Sequence, residues 1–129
     1  MEQKVVGLSK VVELSNGEKV VVKKLPLGDY AKLMYTFKNL PKNIFEEFTK
    51  LDPSDNEAAI STMFGFFADA WGQMLEILAI GTGIDRERLE NDPAIGLDGG
   101  VKLLMAVIEV NNLKEVVKNV KNLFAGAGN

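Results

Sequence analysis

The sequence predicts an α+β domain that is mostly helical, in which an N-terminal β-hairpin precedes a bundle of about five helices. Two valine-rich runs flank an Asn16-Gly17 pair, and after Pro26 apolar residues recur at helical spacing. The chain has 129 residues, which suits one domain better than two. We expect one domain over residues 1–124, with the hairpin at 4–25, the helical body at 29–124 and a disordered tail at 125–129.

The hairpin is predicted from two β-branched runs, residues 4–14 and 19–25. Asn-Gly between such runs is typical of a tight turn in which both central residues take positive φ. Pro26 cannot donate to a strand ladder, so it is expected to end the second strand. A two-stranded ribbon is marginal in water, so we expect it to pack on helices or to pair with another chain.

Three helices are predicted next. Asp29 is expected to cap the first, whose inward side chains are Tyr30, Leu33, Met34, Phe37 and Leu40. After Pro41, a short helix over residues 43–51 precedes Asp52-Pro53. The Ser54 and Glu57 spacing is that of a capping box, which predicts one long helix to about Ile80. Its main apolar stripe is expected to be Ile60, Met63, Phe64, Phe67, Trp71, Met74, Leu75 and Leu78.

The rest of the chain is also predicted to be helical. Gly81-Thr82-Gly83 is expected to end the long helix, and Asp85 to cap a short charged one. Asp98 or Gly99 is expected to lead a helix with Val101, Leu104, Met105 and Ile108 inward. Asn111-Asn112 is predicted to be a hinge before a last helix that ends near Phe124.

Composition excludes much chemistry. The chain contains neither Cys nor His, so thiolate nucleophiles, Cys/His metal sites and imidazole bases are impossible. The net charge is −3, which argues against electrostatic binding of nucleic acid. Residues 58–80 are strongly apolar, but Asp69, Gln73 and Glu76 interrupt them, so no membrane-spanning helix is expected.

Acidic and glycine-rich segments are the remaining candidates for chemistry. Asp52 and Asp55 are compatible with a magnesium or calcium site, although capping around Pro53 is the favoured interpretation. The acids of residues 85–92 alternate with Arg86 and Arg88, which favours an exposed helix over an acid/base pair. Glycines at 81–83 and 96–100 lack phosphate-loop spacing and are interpreted as caps and turns. No cofactor and no metal are predicted.

An aromatic cluster suggests a binding surface. Phe64, Phe66, Phe67 and Trp71 lie within two helical turns and cannot all face one side. Phe66, Ala70 and Ile77 fall off the main stripe, which makes the apolar face of this helix unusually wide. We therefore take as candidate partner-binding residues Phe64, Phe66, Phe67, Ala70, Trp71 and Ile77; a fully intramolecular core is the alternative.

The order of these segments resembles a known family. A valine-rich hairpin with an Asn-Gly turn, the segment LPLGDYAKLMYTFKNLP, an aromatic-rich helix and the segment AVIEVNNLKEVVKNVKNL follow one another. This order is similar to that of the tail assembly chaperones of long-tailed (siphovirus-type) bacteriophages and prophages, over most of residues 10–124.

The resemblance implies a non-enzymatic protein in the cytoplasm of the bacterial host. Such chaperones coat the tape-measure protein until tail tube protein displaces them, and self-association is expected, with no nucleic acid and no membrane as partner. Two other classes stay open. One is a small enzyme or ligand-binding domain that uses Asp85, Glu87, Asp92 and Asp98, and the other is a DNA-associated phage regulator.

Overall fold

A computed structural model describes residues 9–51, 54–116 and 118–119. The described chain forms the predicted α+β fold, in which one hairpin precedes a mostly helical body. The elements in order are β1 (Ser9–Glu13), β2 (Lys19–Lys23), α1 (Leu27–Lys38), α2 (Lys42–Thr49), α3 (Asn56–Asp69), α4 (Trp71–Thr82), α5 (Arg86–Asn91) and α6 (Gly96–Asn111). Residues 113–116 are helical as well. The predicted start of the hairpin at residue 4 and the predicted tail at 125–129 lie outside the described residues.

The two strands are antiparallel, with Val11 paired to Val21 and Glu13 to Lys19. Side chains of one face of the ribbon, including Val12, Val20 and Val22, are buried, whereas the Val11–Val21 pair faces solvent. Both strands pack against α6, and β2 also contacts α4. The hairpin is therefore stabilised by helices on one face, as expected for a two-stranded ribbon.

The turn differs from the predicted two-residue turn. Among the described non-glycine residues, positive φ occurs only at Asn112, so Asn16 does not take it; Gly17 does, with φ 87°. The N–H of Gly17 donates to the carbonyl of Leu14, and the N–H of Leu14 donates to the carbonyl of Glu18. Three residues thus form the loop, with glycine in the left-handed position that closes this hairpin class.

Helix α1 begins at Leu27, directly after Pro26, so the prediction that Asp29 caps it is wrong. The proline ring fixes φ near the helical value, so the helix can begin directly after Pro26 rather than after the predicted cap Asp29. The predicted core residues Leu33, Phe37 and Leu40 are buried. In α2, Phe48 is buried, and its ring centroid lies 4.9 Å from that of Phe37.

The predicted long helix is broken into α3 and α4. The break is at Ala70, whose φ of −150° and ψ of 42° are not helical. The two halves have different neighbours, because α3 packs against α2 while α4 packs against α1, α5 and β2. The predicted cap also moves by one residue, since Asp55 is the N-cap and its carboxylate accepts the Ala58 N–H at 3.2 Å.

Helix α6 is the centre of the fold. It contacts both strands, α3 and α4, and six successive residues from Leu103 to Ile108 are buried. The α4–α6 contact is close at Gly81, where a Cβ atom on the glycine would lie 2.6 Å from a methyl carbon of Val107. Helix α6 begins at Gly96, earlier than the predicted Asp98 or Gly99, so residues 96–100 form its first turns. Its C-cap is Asn112, at the predicted hinge, which takes the left-handed conformation with a φ of 52°.

Candidate functional site

The six predicted partner-binding residues separate into two groups. Phe66, Ala70 and Ile77 are at most 2% exposed, so their prediction as contact residues is wrong. They belong to the core face of α3 and α4, where the Phe66 ring packs edge-on against Phe48 at 6.4 Å. Because this face is covered by the protein's own helices, it offers nothing to another molecule.

The other three predicted residues lie together on the outside of the fold. Phe64 is 57% exposed, Phe67 is 41% exposed and Trp71 is partly buried. The Phe64 and Phe67 ring centroids lie 6.2 Å apart, and those of Phe67 and Trp71 lie 5.4 Å apart. Ile60, which is also exposed, follows one line with Phe64 and Phe67 along the outer face of α3, and Trp71 stands beyond its end as the first residue of α4. We call Ile60, Phe64, Phe67 and Trp71 the aromatic stripe.

A shallow apolar groove borders the aromatic stripe. It encloses about 240 Å³ between the α3–α4 corner and the start of α6, and Phe67, Trp71 and Leu97 contribute to its walls. Leu97 is exposed and was not predicted, because the glycines of residues 96–100 are typical of a turn. The Trp71 indole N–H donates to a carboxylate oxygen of Glu90 at 3.0 Å, which fixes the ring at the end of the stripe.

The surroundings of the stripe are acidic. From residue 51 to residue 85 the sequence contains no Lys and no Arg. Glu57 lies seven residues before Phe64 and therefore on the same helix face, and Asp69 is exposed at the end of α3. Within the part of the chain that the structure describes, neither carboxylate has an ion-pair partner. Asp69 follows Phe67 by two residues and therefore lies on the other side of α3, so the acidic rim of the stripe is defined here as Glu57 and Glu90.

Two of the acidic residues of 85–98, Asp92 and Asp98, are surface ion-pair partners. Arg88 bonds to Asp92 at 2.8 Å and, through both terminal nitrogens, to Glu18 in the hairpin turn. The Arg88 guanidinium holds the pKa of the Glu18 and Asp92 carboxyls below their usual values. The same bonds raise the pKa of Arg88. Asp98 pairs with Lys102 at 3.3 Å, so these carboxylates point to different partners rather than to one site.

The remaining acidic and glycine candidates have structural roles where they are described. Asp55 caps α3, in agreement with the favoured interpretation, and Asp52 lies outside the described residues. Gly83, with φ 76°, ends α4 as predicted. Across residues 9–51, 54–116 and 118–119, no three acidic side chains come close enough together to hold a metal ion.

A second groove lies on the opposite side of α4. It is open, encloses about 680 Å³ and runs between α1 and α4, past the exposed ring of Tyr35 and the small residues Ala31 and Gly72. Its polar wall contains the Arg86–Glu76 ion pair at 2.9 Å. Tyr35 is thus an exposed aromatic residue that lies outside the aromatic stripe.

Comparison of the chain with protein-family models, with curated proteins and with solved structures yields no match. Among the described residues, no helix has the length and apolar character needed to cross a membrane. The functional assignment therefore depends on the aromatic stripe and on the order of the sequence segments.

Proposed function

We propose that this protein is a non-enzymatic tail assembly chaperone of a long-tailed bacteriophage or prophage. In this role it binds the tape-measure protein in the host cytoplasm during tail morphogenesis. The aromatic stripe is the observation that carries the proposal. Large apolar side chains stand exposed on one face of a helix, in a chain whose segments follow the order seen in this family.

Exposed aromatic residues at this spacing favour a protein partner. Burial of a whole aromatic side chain removes roughly 150–250 Å² of surface from water, and because Phe64 and Phe67 are 57% and 41% exposed, a partner can cover about half of that area on each. Ile60, Phe64 and Phe67 are spaced i, i+4 and i+7, which is the pattern by which one helix docks against another. The family resemblance implies a long, mostly helical client, and this surface fits such a client.

Weak contacts of this kind suit a chaperone that must later be displaced. A short stripe gives modest affinity per copy, and many copies along one long client add up through avidity. Tail tube protein then needs to outcompete only one weak contact at a time. Self-association of neighbouring copies, which the resemblance implies, adds to this avidity.

Co-expression with a tape-measure protein from the same phage or prophage genome tests the proposal. We expect the wild-type chain to raise the soluble fraction of the tape-measure protein, and a Phe64→Ser/Phe67→Ser variant to lose that effect. Tyr35→Ser is the matched control, because it removes an exposed ring outside the stripe. The proposal fails if the tape-measure protein stays insoluble with wild type, or if the double variant protects it equally well.

A further inference from the structure

We infer that the aromatic stripe takes an amphipathic helix whose apolar face is flanked by lysine and arginine side chains. This inference deepens the proposed function, because it rests on the stripe being the docking surface and adds the charge of the client helix. Shape, the sign of the surrounding charge and the distribution of the chain's own cations support it.

The shape of the stripe matches one helix. Ile60 to Phe67 span roughly 10 Å along α3, or two helical turns, and Trp71 extends the line past the break at Ala70. The Phe67 ring contacts both the Phe64 ring and the Trp71 ring, so the three rings form one continuous ridge. Beside the ridge lies the groove lined by Leu97, which can receive the side chains of a client helix.

The charge around the stripe has one sign. Glu57 lies on the stripe's own face, and Glu90 is bonded to the Trp71 indole at its end. Residues 51–85 contain no Lys or Arg that could offset these negative charges. Arg86, which follows, is paired with Glu76, and Arg88 is paired with Glu18 and Asp92. An apolar client with acidic flanks would meet like charges at the rim, whereas a basic one would form new ion pairs.

Lysines of the chain itself lie on other elements. The described lysines are on the hairpin, on α1 and α2 and the residues beside them, and from Lys102 onward, and none of them forms an ion pair with Glu57 or Glu90. The rim therefore selects for a cationic partner, and it speeds encounter with one at low salt.

Trp71 makes the test direct, because it is the chain's only tryptophan and lies at the end of the stripe. Two designed helices of about 21 residues would share the same Leu/Ala face and carry either Lys or Glu on the flanks. Titration of the full chain with each would be followed by Trp71 fluorescence. We expect the Lys helix to bind roughly tenfold more tightly, and this preference to vanish at high salt.

Substitutions distinguish the contribution of charge to helix binding from that of apolar contact. Glu57→Gln/Glu90→Gln is expected to reduce the preference for the Lys helix to about threefold or less, while circular dichroism shows an unchanged fold and an amide oxygen at position 90 still accepts the Trp71 indole N–H. Glu13→Gln/Glu115→Gln is the matched control, since both side chains are exposed and distant in sequence from the stripe. Phe64→Ser/Phe67→Ser is expected to weaken both helices alike.

The inference is overturned if the Glu helix binds as tightly as the Lys helix, or if neither binds. It is also overturned if sedimentation shows that a second copy covers the stripe and excludes both helices. Its failure is distinguishable from failure of the proposed function. A Lys helix that binds while the tape-measure protein stays insoluble contradicts only the function. A tape-measure protein protected equally by Glu57→Gln/Glu90→Gln contradicts only the charge preference.

Discussion

The backbone N–H of Leu25 donates a 2.8 Å hydrogen bond to the side-chain oxygen of Asn111, a buried residue at the end of α6. The Tyr30 hydroxyl lies 3.0 Å from the backbone carbonyl oxygen of Asn111 and 3.2 Å from its side-chain oxygen. The Asn111 side-chain nitrogen donates to the Val107 carbonyl at 3.0 Å. One amide thus joins the exit from β2, the start of α1 and the end of α6. It holds the hairpin against the helical body.

Asn111→Ala is expected to lower the free energy of unfolding by about 1–3 kcal/mol, because the Leu25 N–H loses its partner in a partly buried position. Urea denaturation followed by circular dichroism measures the change. Asn43→Ala, at an exposed position of α2, is the control and should change stability by less than about 0.5 kcal/mol. Equal stability of the two variants would show that the Asn111 bonds contribute nothing net.

Gly81→Ala is expected to destabilise the fold by about 1–3 kcal/mol, since the added methyl group would overlap the branched side chain of Val107. Gly72→Ala in the same helix meets no atom within 4 Å and should be neutral or slightly stabilising. Thermal unfolding distinguishes the two. A further Val107→Ala change should recover part of the loss in Gly81→Ala. If the two glycine variants melt alike, the close α4–α6 approach is wrong.

Acid is expected to weaken the contact between the hairpin turn and the Arg88 region. Arg88 holds the folded-state pKa of Glu18 and Asp92 below their usual 4.5 and 3.8. A lowered pKa stabilises the fold at a pH above the unfolded-state value, and this contribution is lost as the pH falls through the folded-state value. Wild type and Arg88→Gln should therefore differ in stability near neutral pH, and the difference should shrink as the pH falls below the usual pKa values and disappear only below the lowered folded-state values. A difference that stays constant with pH would contradict the ion-pair assignment.

Phe64 and Phe66 lie two residues apart on α3 but on opposite sides of it, and only Phe66 is buried. Their alanine substitutions should therefore lower the free energy of unfolding by different amounts. Phe66→Ala is expected to cost about 3–5 kcal/mol, because a fully buried ring is removed. Phe64→Ala should cost less than about 1 kcal/mol, because its ring is mainly exposed. Chemical denaturation of the two variants measures the contrast. Comparable losses would mean that α3 is rotated relative to the orientation described.

Periodicity predicted the hairpin, most helices and their inward residues, but it could not choose between two faces of residues 58–80. Both faces are apolar. The buried face carries the small residues Ala59, Ala70 and Gly81, which permit close helix approach. It also carries large side chains such as Met63 and Phe66, while Phe64 and Phe67 lie on the exposed face. Neither size nor hydrophobicity therefore identifies the core face, which is decided by the elements that pack against it.

The break at Ala70 left no local sign in the sequence. Alanine is the strongest helix former, and neither proline nor glycine stands at the break. The non-helical backbone follows from packing, since α3 and α4 contact different neighbours. Such a choice depends on residues distant in the chain, such as Phe48 beside Phe66. The three exposed members of the candidate site were predicted, whereas the exclusion of Phe66, Ala70 and Ile77 required the fold.

Photocrosslinking tests the central claim, that the aromatic stripe is the client-binding surface, most directly. Benzoyl-phenylalanine would replace Phe64 in one variant and Tyr35 in another, since both side chains are exposed but only Phe64 belongs to the stripe. On irradiation of cells that also produce the tape-measure protein, we predict a crosslink to that protein from position 64 and little from position 35. A crosslink from position 35 alone, or from neither position while the complex is intact, would contradict the claim.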